Sequence, residues 1–229
     1  MHWLNARHTV TIFNVFTRSR HAPYSDAAFV HENDELSYVS AMRLREDELF
    51  VRRIKETLPK GLKNNLHLHD LHLKDAPIRL RISLEEVNKT PVNPADPSIE
   101  KIRKALTRQF ELGAMGAIVV PLAIGGHVDH LTVREAAMPF TAGIPSSFYE
   151  DLPYAATTPI ADQEATSFAG ETLSPAVYSV DSAIERKRKL VLGYASQIDE
   201  EAGALIANFA TNYNGERLWA NQQWSQASL

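Results

Sequence analysis

Cysteine is absent from the 229-residue chain, and its absence excludes disulfide bonds and thiolate metal ligands. Any transition metal would have to be held by histidine and carboxylate side chains. The sequence also lacks a glycine-rich phosphate loop and a serine within a Gly-x-Ser-x-Gly elbow. Without a cysteine or serine nucleophile of these kinds, covalent catalysis is not expected.

Long apolar runs are missing too. No segment approaches the roughly 20 apolar residues needed to cross a bilayer, and the N-terminus has no basic and apolar signal pattern. We therefore expect a cytoplasmic protein without a membrane span. The net charge is −4, and the one basic run, Arg186-Lys187-Arg188-Lys189, is interpreted as a solvated helix face, so nucleic acid is not expected as a partner.

The composition is that of a globular protein, with 44% hydrophobic and 23% charged residues. A chain of this length suits a single domain, here residues 1–229. Residues 10–16 and 117–122 are apolar and typical of buried strands. Residues 37–58 and the segment that opens at Asp96-Pro97 carry helical apolar stripes. This alternation predicts an α/β fold with a largely parallel sheet layered with helices.

The remaining segments give weaker patterns. Residues 66–73 and 147–149 are predicted as short strands, and residues 183–194 and 200–209 as helices. Residues 155–175 are polar and rich in Thr, Ala, Ser and Pro, which predicts a long surface loop. Little order is expected at the C-terminus.

The segment His127-Val128-Asp129-His130 directly follows the strand at 117–122 and the pair Gly125-Gly126. Ligand sites collect at the carboxyl ends of strands in open α/β sheets, and glycines allow close backbone approach to a ligand. Imidazole and carboxylate are also zinc ligands. Chance is the competing explanation, because nine histidines make a pair three residues apart unsurprising.

A second histidine cluster contains His67, His69, Asp70 and His72. Imidazoles two apart on a strand share a face and could hold a metal between them. The alternation with leucine is equally typical of a half-exposed strand whose histidines face solvent.

Pro-Leu-Ala-Ile-Gly-Gly-His-Val-Asp-His, residues 121–130, resembles the second signature of the PIG-L (LmbE-like) de-N-acetylases. Further segments resemble the bacterial members of this family and extend the similarity over nearly the whole chain: residues 16–19, 45–47, 75–79, 148–154, 194–197 and 216–219.

The resemblance implies a Rossmann-like three-layer fold and zinc-dependent hydrolysis of an N-acetyl amide in a glucosamine-containing or related small molecule. It makes His130 a zinc ligand, and His127 the protonated histidine that stabilises the oxyanion and helps the amine to leave. Asp129 would orient that imidazole, and a neighbouring carboxylate favours the charged form of the ring.

The family's first signature, His-Pro-Asp-Asp, supplies two zinc ligands and the general base, and it does not occur in this chain. One explanation is that the first strand and its metal loop lie upstream of Met1. The apolar strand at residues 10–16 would then have an edge open to association, for instance as a homo-oligomer. The other explanation is a degenerate relative that binds a sugar-like ligand or a partner without hydrolysis, with zinc bound weakly or not at all.

Arg79 and Glu150 are charged residues in two of the family-like segments, and we predict that they bind substrate. A surface salt bridge is the alternative explanation for each of them. The aromatic residues of segment 148–154 could likewise serve burial rather than recognition.

Overall fold

The structure, a computed structural model, describes residues 1–113, 115–158, 172–180 and 183–227. The chain divides into two compact units. The first unit contains residues 1–81 and 182–208, and the second contains residues 82–181 and 209–229. Within the described ranges, no helix combines the length and apolar character that a transmembrane span requires.

Helices and strands alternate through most of the chain. In chain order they are α1 (His2–Asn5), β1 (Val10–Asn14), α2 (Glu32–Thr57), β2 (Leu66–Asp70), α3 (Ala76–Leu80), α4 (Pro97–Glu111), β3 (Ile118–Pro121), α5 (Val128–Ala137), β4 (Ser146–Tyr149), α6 (Tyr154–Thr157), β5 (Ser174–Tyr178), α7 (Ile184–Val191), α8 (Glu200–Phe209), β6 (Glu216–Ala220) and α9 (Gln222–Gln226).

The first unit is built on a parallel pair of strands. β1 and β2 run side by side, with Val10 opposite Leu66 and Asn14 opposite Asp70. Parallel neighbours need a long crossover, and α2 supplies most of it. Its buried Val51 packs with Leu66 of β2 in one apolar cluster.

The second unit contains a four-stranded sheet in the order β3-β4-β6-β5. β3 and β4 are parallel, whereas β6 runs antiparallel to both of its neighbours. Buried Asn221 secures the end of β4, because its Oδ1 accepts the Ser146 N–H at 3.0 Å and its Nδ2 donates to Ile144 O at 2.9 Å. The same Oδ1 accepts the N–H of Trp224 and so caps α9.

The α/β class predicted from sequence is confirmed, with two differences. The described strands form two separate sheets, and the second sheet contains two antiparallel pairs that involve β6 besides the parallel pair β3–β4. β6 and α9 form where little C-terminal order was expected. The loop predicted over residues 155–175 contains α6 and the start of β5, and residues 159–171 lie outside the described residues. β5 was overlooked because it contains Pro175, which strands tolerate at a sheet edge.

A buried carboxylate joins α2 to the segment after α7 in the first unit. Glu46 is 8% exposed, and it accepts hydrogen bonds from the Ser196 N–H at 2.8 Å and the Ser196 hydroxyl at 2.7 Å. The next residue, Asp47, is half-buried. Burial raises the pKa of Asp47 to about 6, against the opposing effects of a hydrogen bond from Tyr194 and the charge of Arg43.

The raised pKa of Asp47 predicts a pH-dependent stability. Because the pKa in the folded chain lies above the unfolded value of 3.8, the folded chain holds this proton more tightly, and stability is lost as pH rises from about 4 through 6. After allowance for partial solvent exposure, we expect this group to lower the free energy of unfolding by about 1–2 kcal/mol between about pH 4 and 7.

Asp47→Asn should remove this loss, since the amide oxygen still accepts from Tyr194. Urea unfolding across that pH range measures the effect, with Glu48→Gln on an exposed position of the same helix as the control. Parallel pH profiles for the wild type and Asp47→Asn would contradict the assignment.

Candidate functional site

The loop between β3 and α5 turns sharply because three of its residues adopt left-handed backbone angles. Ala123, Gly125 and Gly126 have φ values of +61°, +83° and +72°. The Gly126 N–H donates to Ala123 O at 3.0 Å and closes the turn. The chain therefore leaves the carboxyl end of β3 and enters a helix within a few residues.

His127 is the N-cap of α5. Its Nδ1 accepts the Asp129 N–H at 3.2 Å, which satisfies one of the free N–H groups of the first turn. The helix consequently begins at Val128. Because Nδ1 is an acceptor, the neutral ring of His127 carries its proton on Nε2.

His130 lies one turn into α5, and its ring centroid is 5.2 Å from that of His127. The structure therefore brings together the two imidazoles that the sequence placed at one site. Both residues are half-buried, in contrast to the neighbouring Val128, which is 1% exposed and packs in the core.

Asp151 is the residue of this site that sequence reasoning missed. Its side chain is fully buried, Oδ1 lies 2.6 Å from Nδ1 of His130, and Oδ2 accepts the Ile124 N–H at 2.9 Å. Since a carboxylate only accepts, this contact is a hydrogen bond when Nδ1 of His130 carries a proton. The sequence position of Asp151 could have identified it as a site residue, because it directly follows β4. The carboxyl ends of adjacent parallel strands meet at one edge of the sheet.

Tyr154 of α6 adds a third ring to this cluster, with its centroid 6.4 Å from His127 and 6.2 Å from His130. Burial and the charges of Asp151 and Asp129 raise the pKa of its phenol. The ring also packs directly on the loop. A Cβ atom added to Gly125 would lie 2.7 Å from Cγ of Tyr154, so this position accepts only glycine without rearrangement.

The other predicted site residues have different surroundings. Asp129 is 6% exposed, and the prediction that its carboxylate orients His127 stays a prediction. Glu150 lies in a buried ion pair with Arg217, not the surface salt bridge of the alternative explanation, and also accepts from Nε1 of Trp219 at 3.1 Å. Its predicted contact with substrate stays a prediction.

Arg79 belongs to the first unit. There its Nη1 donates to Lys74 O at 2.9 Å, and its guanidinium lies 4.3 Å above the Phe16 ring. Its predicted contact with substrate stays a prediction.

The second histidine cluster fits the solvent-facing explanation. His67 and His69 are both exposed on β2. The ring of His69 packs against Phe13 at a centroid distance of 5.0 Å. Beyond the strand, Nδ1 of His72 lies 3.2 Å from the Asp70 carboxylate, and the His72 side chain is 66% exposed.

A catalytic zinc takes three protein ligands and leaves one position for water. Within the described part of the chain, no group of three or more histidine, aspartate or glutamate side chains could hold a metal ion. Of the two histidines at the candidate site, His130 has the arrangement of a ligand, because a carboxylate behind the distal imidazole nitrogen is typical of zinc-bound histidines. These residues therefore offer one ligand and do not by themselves complete a zinc site.

The packing of Gly125 against Tyr154 gives a direct prediction. Gly125→Ala adds a left-handed non-glycine residue and an overlap with the ring, and we expect it to destabilise the chain by roughly 2–4 kcal/mol. Urea unfolding measures the loss. Gly116→Ala is the matched control, because a Cβ there meets nothing within 4 Å. Equal stability of the two variants would show that the loop does not pack as described.

Comparison with known proteins finds a relative of this chain. This chain is 30% identical over 199 residues to the 2'-N-acetylparomamine deacetylase of Streptomyces fradiae. The alignment covers 83% of this chain and 64% of the relative, so the chain spans just under two thirds of that protein. No family model matches the sequence.

Solved structures share the fold. The complex of a deacetylase in the biosynthesis pathway of teicoplanin with bog has a TM-score of 0.61 at 19% identity. The zinc-inhibited form of a teicoplanin deacetylase has a TM-score of 0.58 at 20% identity. Each match covers 96% of this chain and 89% of the other. The chain is thus similar in sequence to one deacetylase and in fold to others.

Proposed function

We propose that the protein containing this chain is a zinc-dependent N-deacetylase of the PIG-L (LmbE-like) type, with residues 1–229 forming one deacetylase-type domain. It removes an N-acetyl group from an amino sugar or a related natural-product intermediate. One observation carries the proposal: His127 and His130 lie together at the carboxyl end of β3, with His130 held through Nδ1 by Asp151. The relative named for 2'-N-acetylparomamine supports the substrate class.

The reaction adds water across an amide. A bond forms between the water oxygen and the acetyl carbon, the carbon–nitrogen bond breaks, and the products are acetate and a free amine. Charge develops on the carbonyl oxygen in between, and a fixed hydrogen-bond donor aimed at that oxygen lowers the barrier. The leaving nitrogen must also receive a proton.

His127 is the proposed donor. With Nδ1 occupied by the Asp129 N–H, Nε2–H is the group of the neutral ring that can donate to the oxyanion. In the imidazolium form of His127, Nδ1 also carries a proton and can no longer accept the Asp129 N–H. The negative charge of the Asp129 carboxylate favours this charged form and offsets the lost hydrogen bond. Asp129 thus acts on the ring in two ways, through its N–H and through its carboxylate.

His130 is the proposed zinc ligand, through Nε2. Zinc, when bound, polarises the carbonyl and activates water. The zinc-inhibited form of a similarly folded deacetylase supports a metal site in this fold. Because no group of three or more possible ligands lies together among the described residues, we expect residues 1–229 alone to bind zinc weakly or not at all.

Substitution of the two histidines separates their roles. In the full-length protein that contains residues 1–229, we expect His127→Ala to keep its zinc and to lose about 10²–10³-fold in kcat, the usual effect of removing an oxyanion donor. His130→Ala should lose zinc and turnover together. Acetate release from an N-acetylated amino sugar and metal analysis of the purified protein measure these effects, with exposed His67→Ala as the control.

Retained turnover in both variants would overturn the assigned roles. A full-length protein that binds no zinc and releases no acetate, yet binds the amino sugar in calorimetry, would instead be the non-catalytic binding protein. The incomplete ligand set among the described residues is the observation that favours this second function.

A further inference from the structure

Asp151 connects two parts of the candidate site. One carboxylate oxygen accepts the backbone N–H of Ile124, in the loop that precedes α5, at 2.9 Å. The other lies 2.6 Å from Nδ1 of His130, within α5. The carboxylate therefore fixes the imidazole relative to the loop from which the helix starts.

Because the Asp151 carboxylate is buried, its contact with Nδ1 of His130 favours one tautomer of the imidazole. The Asp151 side chain is 0% exposed, whereas that of His130 is 34% exposed. A buried carboxylate needs hydrogen-bond donors on both oxygens to offset the loss of hydration, and Nδ1–H of His130 is the donor on Oδ1. If the ring moved its proton to Nε2, Oδ1 would face an electron pair instead, at a large cost.

The charge of Arg134 also faces this group. Its guanidinium donates to Leu122 O at 2.5 Å and interacts electrostatically with Asp151. A nearby cation favours the ionised carboxylate. The ionised form can only accept, so it demands a proton on the imidazole nitrogen that faces it.

We propose that Asp151 is a positioning residue that holds His130 in the Nδ1–H tautomer and so leaves an electron pair on Nε2. This inference rests on the proposed function for its purpose, since a metal ligand needs that tautomer. Free neutral histidine favours the opposite tautomer, so the preference has to be imposed by the fold. Asp151 itself does not contact substrate.

The tautomer can be read without metal or substrate. In the metal-free full-length protein labelled with ¹⁵N-histidine, two-bond proton–nitrogen spectra at about pH 8, where a ring with an ordinary pKa is neutral, distinguish protonated from unprotonated ring nitrogens. We expect the wild type to show a protonated Nδ1 and an unprotonated Nε2 for His130. Signals missing from His130→Ala identify the residue.

Asp151→Asn keeps the size of the side chain, and its amide can donate to Nδ1. We expect His130 in this variant to shift to a majority of the Nε2–H form, and the zinc affinity of the full-length protein to fall by about 10–100-fold. Glu46→Gln is the matched control, because it neutralises another buried carboxylate without touching His130, and the His130 signals should stay as in the wild type.

An Nε2–H tautomer in the wild type would overturn the proposal whether or not any variant folds. So would an unchanged Nδ1–H tautomer in a folded Asp151→Asn. The outcomes also separate this inference from the proposed function: a tautomer that depends on Asp151 in a protein without deacetylase activity would uphold the positioning role and reject the enzyme.

Discussion

The candidate site depends on one buried contact, the carboxylate of Asp151 between the Ile124 N–H and the Nδ1–H of His130. Without this contact, the Arg134 hydrogen bond to Leu122 O would still join α5 to the preceding loop, but His130 would lose its contact with the Asp151 carboxylate. Two parallel strands make the contact possible, because β3 and β4 deliver their next residues to the same edge. The chemistry proposed for the histidines is therefore a consequence of sheet register.

Much of the fold followed from patterns in the sequence. The helix at Asp96-Pro97 was predicted from its cap, and Asp96 accepts the Ser98 N–H as expected. α2 is longer than predicted, because the acidic residues of its first turn, including Glu32 and Asp34, favour a helix N-terminus. β5 and β6 were missed, since a strand that depends on a distant partner carries little local signal.

The site was predictable in part. A local motif predicted that His127 and His130 lie close together, as they do, because residues three apart at a helix start are neighbours in space. Asp151 could not be found in this way, being 21 residues from His130 and brought near only by strand pairing. The burial of Glu150 against Arg217 was equally hidden from sequence, because a charged residue is normally expected at the surface.

Pro175 has a consequence for the outer edge of the second sheet. β5 pairs with β6 on one side, and no other described strand pairs with it. A strand edge with a full row of amide donors is a template for aggregation, and proline removes one donor from the row. Its presence in β5 makes continuous addition of a foreign strand less favourable there. Replacement of Pro175 by a β-branched residue would therefore restore a backbone donor to β5 and favour the extended conformation of the strand.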